Sequence, residues 1–292
     1  MNAPFINGVT QLLGLMGDPV AHSLSPAMHN AALAHMGVNA VYLPLPVKSD
    51  RIGTALSGFS AISMQGINVT IPHKQTVLPF LDDISDTARQ VGAVNTIYPL
   101  ASGGWGGTNT DVSGFLHPLR QLERPWSQSV ALILGSGGAA RATVQGCLEL
   151  GFGQVVVVGR SPERLVLLRE AWPQLVTATW EDLTYWLPKT LLAVNATPIG
   201  MQSESDSNAV LQTPLSEEQL ALLPDTAIAY DLVYVPRPTT FLNLADARGL
   251  ATFDGLEMLV QQGAIALSLW FGGREVPIDV MRQAAKNHLG LH

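Results

Sequence analysis

The sequence predicts an α/β protein of two domains, and three observations carry that expectation. Short runs rich in β-branched and apolar residues alternate with helical patterns along the chain, the signature of parallel strands covered by helices. A buried strand passes through a glycine-rich turn into a helix between Ser129 and Leu150. The length of 292 residues is about twice the ~150 residues of a single domain, and 47 % apolar against 13 % charged residues is enough to fill two cores.

In the first third, strands are expected at Gln11–Met16, Ala40–Val47, Gly66–Pro72 and Ala93–Pro99, with helices at Ser25–Met36, Arg51–Ile62 and Thr76–Leu81 between them. A helix at Val112–Leu122 leads to the strand Ser129–Leu134, the turn Gly135–Gly138 and the helix Ala139–Leu150. Further strands follow at Gln154–Gly159, Leu191–Asn195 and Ala227–Leu232, and Gln202–Asn208 reads as a polar loop. Two helical patterns, Leu256–Trp270 and Pro277–His288, close the chain without a strand to extend the central sheet, so they can cap the N-terminal domain instead. Boundaries near Asp111 and Gly255 follow, with no internal repeat.

The net charge is −7, and such a surface repels phosphate backbones; the expected partner is a small molecule rather than nucleic acid. The first Lys or Arg is Lys48, so neither a secretory signal nor an Arg-rich transit segment is expected. The longest apolar run, Leu256 to Phe271, is interrupted by Glu257, Gln261 and Gln262, so no membrane span and a cytoplasmic location are expected. A single cysteine, Cys147, excludes an internal disulfide and a thiolate cluster. His22, His29 and His35 have no metal-pair spacing, and no metal is expected.

The segment Val130-Ala-Leu-Ile-Leu-Gly135-Ser-Gly137-Gly138-Ala139-Ala140-Arg is a strand running into Gly-x-Gly-x-x-Ala and a helix. Gly135 permits the turn, Gly137 lets the backbone approach a pyrophosphate, and Ala140 lets the helix pack on the strand. Dinucleotide binding is favoured over an ordinary glycine turn because strand, spacing and a second strand, Val155–Val158, are all present. That second strand ends in Gly159-Arg160-Ser161-Pro162-Glu163-Arg164, where an acidic residue would bind the ribose hydroxyl of NAD. Arg160 and Arg164 there suit a 2′-phosphate and point to NADP. Equally, Ser161 caps a helix with Pro162 at its first position, and both readings can hold together.

On the substrate side, Ser23 and Ser25 stand at the entry to a helix, Ser25 reading as N-cap and Pro26 as the first helical residue. Two hydroxyls at a helix N-terminus also suit a small carboxylate, though capping alone explains the pattern. Asn68 and Thr70 share one face of a strand, and Lys74 follows it; a half-exposed strand and a solvated lysine would look the same. Polar patches recur at Val94-Asn95-Thr96 and Thr108-Asn109-Thr110-Asp111, each at a strand end. Their joint occurrence is informative, because open α/β sheets bind ligands outside the carboxyl ends of strands.

These residues resemble the shikimate dehydrogenase family over nearly the whole chain. Ser23-x-Ser25-Pro26 with His29-Asn30, Asn68-Val-Thr70-x-Pro72-x-Lys74, Gly92-Ala-Val-Asn95-Thr96, Asn109-Thr110-Asp111, Gly135-x-Gly137-Gly138-Ala139, Asn195-Ala-Thr197-Pro-x-Gly200-Met201 and Gly255-Leu-x-Met258-Leu-Val-x-Gln262 occur in the family's order. The resemblance implies an NADP-linked reduction of 3-dehydroshikimate to shikimate in aromatic amino-acid biosynthesis, by a monomer or homodimer. It implies a substrate-binding catalytic domain of residues 1–111 and 255–292, with a mostly parallel sheet, and a Rossmann-type NADP domain of 112–254. Lys74 and Asp111 would be the catalytic pair. Ser23 and Ser25 would hold the carboxylate, Asn68, Thr70, Asn95, Asp111 and Gln262 would bind ring hydroxyls, and Tyr234 would lie near the substrate. Gly135, Gly137, Gly138, Ala139, Arg160, Ser161, Arg164, Thr197, Leu232 and Gly255 would line the NADP site, with Gly255 beside the nicotinamide. Many relatives have Asn-Arg-Thr where this chain has Gly159-Arg160-Ser161, so an amide contact to the cofactor is missing. Quinate-accepting relatives often carry Thr where Ser25 stands. A quinate-accepting enzyme, a secondary-metabolism paralogue and a non-catalytic metabolite sensor are the rival readings; a sensor should lose the Lys–Asp pair or the glycine loop, and both are retained.

Overall fold

A computed structural model describes residues 6–202 and 206–291; residues 203–205 of the expected polar loop lie outside that range. The chain divides into two compact units, Met1–Gly114 with Val260–His292, and Phe115–Leu259. The divisions fall inside two helices, Asp111–Leu119 and Gly255–Trp270.

The first unit holds a six-stranded sheet: β1 (Gln11–Gly17), β2 (Ala40–Pro46), β3 (Gly66–Val69), β4 (Asp83–Ile84), β5 (Thr96–Pro99) and β6 (Trp105–Thr108), in the order β2-β1-β3-β5-β6-β4. β1 pairs in parallel with β2 and β3, while β5 runs antiparallel to β3 and β6. Helices α1 (Ser25–His35), α2 (Ile52–Ala61), α3 (His73–Thr76) and α4 (Asp86–Val91) connect the strands. α5 (Asp111–Leu119) leads out of this unit. Met16, Ile67, Ile97 and Trp105 centre the core on one face of this sheet, and Leu13 and Leu15 of β1 are buried on the other.

The second unit is a parallel six-stranded sheet of β7 (Val130–Leu134), β8 (Gln154–Val158), β9 (Val176–Ala178), β10 (Thr190–Asn195), β11 (Ile228–Asp231) and β12 (Ala251–Phe253). Its order, β12-β11-β10-β7-β8-β9, is that of a doubly wound dinucleotide fold, with the switch point between β7 and β10. β7 and β10 are buried along their whole length, as strands covered by helices on both faces must be. α6 (Gly138–Glu149), α7 (Pro162–Ala171), α8 (Leu183–Trp186), α9 (Glu217–Leu220) and α10 (Thr240–Ala247) belong to this unit. α11 (Gly255–Trp270) crosses back, and α12 (Ile278–His288) packs Met281, Ala284 and Ala285 inward beside α1, the C-terminal return that the resemblance implies.

Three expectations need correction. Ser25 is the first residue of α1 rather than its N-cap; Leu24 occupies that position without a side-chain cap, and the Ser23 hydroxyl oxygen accepts the Ser25 amide at 3.2 Å. The helix expected at Thr76–Leu81 is a short α-turn, His73–Thr76, followed by a 3₁₀ turn, Leu78–Phe80, because Pro79 has no N–H to continue an α-helical ladder. The strand expected to reach Pro72 ends at Val69; Thr70 still donates to the Met16 carbonyl at 2.9 Å before the chain turns towards Lys74.

Candidate functional site

Topology collects the polar residues of the first unit at one end of its sheet. β1 and β3 are parallel, so the Ser23–Ser25 segment after β1 and Lys74 after β3 leave on the same side. β5 runs the other way, which places its first residues, next to Asn95, opposite the end of β3; Asn68 pairs with Thr96. β6 reverses again, so Thr108 lies across from Thr96, and Asn109-Thr110-Asp111 emerge beside Asn95.

At that edge Lys74 Nζ donates to Asp111 Oδ2 at 2.7 Å, with the lysine side chain 20 % and the aspartate 8 % exposed. Asp111 opens α5, where the unpaired amide groups of a helix N-terminus favour a carboxylate. Its backbone is fixed by Asn109, whose Oδ1 accepts the Asp111 amide at 3.0 Å while its Nδ2 donates to the Ala93 carbonyl. The Lys74 backbone carbonyl accepts the Val94 amide at 2.7 Å, which ties the lysine turn to the approach to β5.

Asn95 organises the rest. Its Nδ2 reaches Asp111 Oδ1 at 2.9 Å, Thr110 Oγ1 at 2.9 Å and Gln262 Oε1 at 3.2 Å, and its Oδ1 accepts the Thr110 amide at 2.8 Å. Asn68, Asn95, Asp111 and Gln262 are all buried, so this is a fully connected polar cluster in a low-dielectric setting, where hydrogen bonds fix geometry most strongly. Thr70 is half-buried and shaped by Gly17, where an added Cβ would stand 2.4 Å from the threonine methyl carbon. Sequence reasoning gave Thr96 and Thr110 no role, yet their hydroxyls lie 3.3 Å apart inside the cluster; their place within the two polar patches was the available signal.

In the second unit, strand register brings the carboxyl ends into one rank: Leu134 pairs with Val158 and Asn195, and Asn195 with Asp231. Gly135, Arg160, Thr197 and Leu232 follow these strands. Gly135 has φ +113°, and a Cβ there would approach the Ala196 carbonyl oxygen to 2.9 Å, so only glycine makes this turn without strain. Around Gly137 and Gly138 the space is open, and α6 starts with no side-chain cap, leaving its first N–H groups for an anion. Ala139 lies in the first turn of α6. Thr197 donates to Asn195 Oδ1 at 2.6 Å, and its oxygen accepts the Ile199 amide. Gly255 begins α11 so close to Leu232 that a Cβ would lie 2.1 Å from the Leu232 carbonyl oxygen. Tyr234 is in this unit, after β11, and burial raises its phenol pKa.

Beyond β8, Ser161 caps α7 through the Arg164 amide at 3.3 Å and donates to Glu163 at 2.7 Å. With that hydroxyl engaged, the exposed guanidinium groups of Arg160 and Arg164 are the groups available to a phosphate. An open glycine loop, an uncapped helix start and arginines in place of an acidic residue together fit a 2′-phosphorylated dinucleotide. Among the described residues, no group of three His, Cys, Asp or Glu side chains could hold a metal ion, and no helix is long and apolar enough to cross a membrane.

The shikimate dehydrogenase substrate-binding domain model matches residues 15–97, and the shikimate 5′-dehydrogenase C-terminal domain model matches 255–286. A shikimate dehydrogenase (NADP(+)) of Synechococcus sp. (strain JA-2-3B'a(2-13)) is 57 % identical over 97 % of this chain and 98 % of its own. This chain belongs to the shikimate dehydrogenase family. Among solved structures, the family's enzyme from Aquifex aeolicus superposes with a TM-score of 0.85 at 34 % identity, covering 97 % of this chain and all 100 % of that one. The Thermus thermophilus enzyme, solved with NADP(H) and shikimate, gives 0.83 at 36 % identity over 95 % of this chain and 99 % of that one. Like its family, the chain is an NADP-dependent oxidoreductase with a Rossmann-type cofactor fold.

Proposed function

We propose that this chain reduces 3-dehydroshikimate to shikimate, reversibly, with the first unit holding the substrate and the second holding NADP. The observation that carries the reading is the 2.7 Å pair of Lys74 and Asp111 inside a buried cluster of hydroxyl and amide groups. When bound, NADPH supplies the hydride; the protein must orient a polyhydroxylated ring and supply a proton. An ammonium has three donors, and Asp111 takes one of them, which leaves Lys74 donors for the substrate carbonyl oxygen. As negative charge grows on that oxygen, Lys74 stabilises it and transfers the proton, forming the O–H bond as the N–H bond breaks. Asp111 holds Nζ in place and presents its other oxygen, already bound to Asn95, to a ring hydroxyl. Ser23 and Ser25 hold the carboxylate, while Asn68, Thr70, Asn95 and Gln262 fix the ring. Arg160 and Arg164 select the 2′-phosphate.

The test is a purified-protein assay following NADPH oxidation with 3-dehydroshikimate and NADP reduction with shikimate. Turnover in both directions supports the reading, and a folded protein inactive with both substrates overturns it.

A further inference from the structure

Asn68 is fixed by neighbours that leave it little freedom in what it offers a ligand. Its Nδ2 donates to the Asn95 backbone carbonyl at 3.1 Å and to Thr96 Oγ1 at 3.2 Å, so both amide hydrogens are committed. The Asn95 carbonyl can only accept, which settles the orientation of the amide: turned over, Oδ1 would face another acceptor. Oδ1 therefore points to the other side, where the Tyr42 hydroxyl lies 2.8 Å away and must donate.

Tyr42 is itself held immovably. It is 1 % exposed on β2, its ring stacks on His29 with centroids 4.1 Å apart, and Trp270 flanks the stacked pair, 6.1 Å from His29 and 6.3 Å from Tyr42. Asn30 brackets its backbone, donating to the Tyr42 carbonyl and accepting its amide. Burial also raises the phenol pKa, which keeps the hydroxyl protonated and a donor.

We infer that Tyr42 is a positioning residue that presents Asn68 to the substrate as a pure acceptor, so that the ring hydroxyl meeting it must donate. The inference rests on the proposed role of Asn68 in binding the ring. With two hydrogens and one lone pair of the amide engaged inside the protein, only the second lone pair of Oδ1 remains for a ligand. A ring substituent that accepts without donating would face that lone pair unfavourably and leave it unsatisfied.

The experiment compares Tyr42→Phe, Asn68→Ala and the double variant, with thermal unfolding and NADP affinity recorded for each. Phe keeps the stack on His29 and removes the hydroxyl, and with it both the bond to Asn68 and the contact with the Ser25 side chain. Expected is about a tenfold loss in kcat/KM for shikimate in Tyr42→Phe, the size of one hydrogen bond, with the KM for NADP unchanged. Added to Asn68→Ala, the same change should cost several-fold less than in the native background, because the amide is gone and only the Ser25 contact is left to lose. Equal losses in both backgrounds, or native kinetics in Tyr42→Phe, would overturn the role of Tyr42 while leaving the proposed reaction intact. A silent Asn68→Ala would overturn both the Asn68 contact and the inference built on it. Should Tyr42→Phe not fold, the native protein decides: shikimate analogues with each ring hydroxyl in turn replaced by fluorine, which accepts but does not donate, are compared with the corresponding deoxy compounds. At the position where Asn68→Ala no longer distinguishes shikimate from its deoxy analogue, fluorine should bind the native protein no better than hydrogen; a fluoro analogue better than its deoxy counterpart at that position would contradict an acceptor-only Asn68.

Discussion

Replacing Asp231 by Asn should change how the stability of the second unit depends on pH, in a direction fixed by the site. Asp231 is fully buried at the end of β11, where Oδ1 accepts from Asn195 at 2.9 Å and from the Val233 amide at 3.0 Å, and Oδ2 accepts from Thr239 at 2.7 Å. Desolvation raises its pKa from 3.8 to about 6, against the pull of those bonds and with a smaller push from Asp254. Because the folded protein binds this proton more tightly than the unfolded chain, the stabilising contribution is complete below pH 3.8 and is lost as pH rises through about 6. At about 1.4 kcal/mol per pH unit the difference amounts to about 3 kcal/mol. An asparagine keeps Oδ1 for Asn195 and Val233 and turns its NH₂ to Thr239, whose hydroxyl accepts as readily as it donates. The variant has no carboxyl to titrate, so its stability relative to the native protein should rise by about 3 kcal/mol between about pH 3.5 and pH 7. Urea unfolding followed by circular dichroism across that range measures the difference. A difference that stays constant with pH would refute the reasoning.

Two further outcomes concern selectivity. Replacing Arg160 and Arg164 together by Ala should raise the KM for NADP about tenfold or more, the scale of lost charge-assisted bonds, and leave the KM for NAD nearly unchanged; equal responses would remove the arginines from 2′-phosphate recognition. Shikimate should be oxidised about 10²-fold more efficiently than quinate, whose tetrahedral C1 sends the carboxylate away at another angle, and Ser25→Thr should narrow that gap. Comparable kcat/KM values for the two acids in the native protein would contradict this.

The parts of the fold legible in the sequence were those with a simple burial rule. β7, β8 and β10 are covered on both faces, so they read as unbroken apolar runs, and the glycine turn after β7 has a fixed backbone requirement. β4, β6, β9 and β12 had no such signature. β4 is two residues long, and β6 contains Gly106 and Gly107, which yield space to Tyr98 and Leu81. The expectation of a helix from Thr76 missed the break that Pro79 imposes. In the site, Lys74 and Asp111 looked like ordinary polar residues until family resemblance joined them, because what unites positions 37 residues apart is the antiparallel reversal of β5 and β6. Tyr42 was invisible for the same reason: it sits in an apolar strand, and only the register of β1 between β2 and β3 brings its hydroxyl to Asn68.

The central claim is that Lys74, held by Asp111, moves the proton. It is tested most directly by the turnover of Lys74→Ala with saturating shikimate and NADP, alongside its thermal unfolding. The account predicts a folded protein with kcat lowered on the order of 10²–10⁴, the contribution of a positioned acid–base group. A folded Lys74→Ala protein with near-native kcat would contradict it.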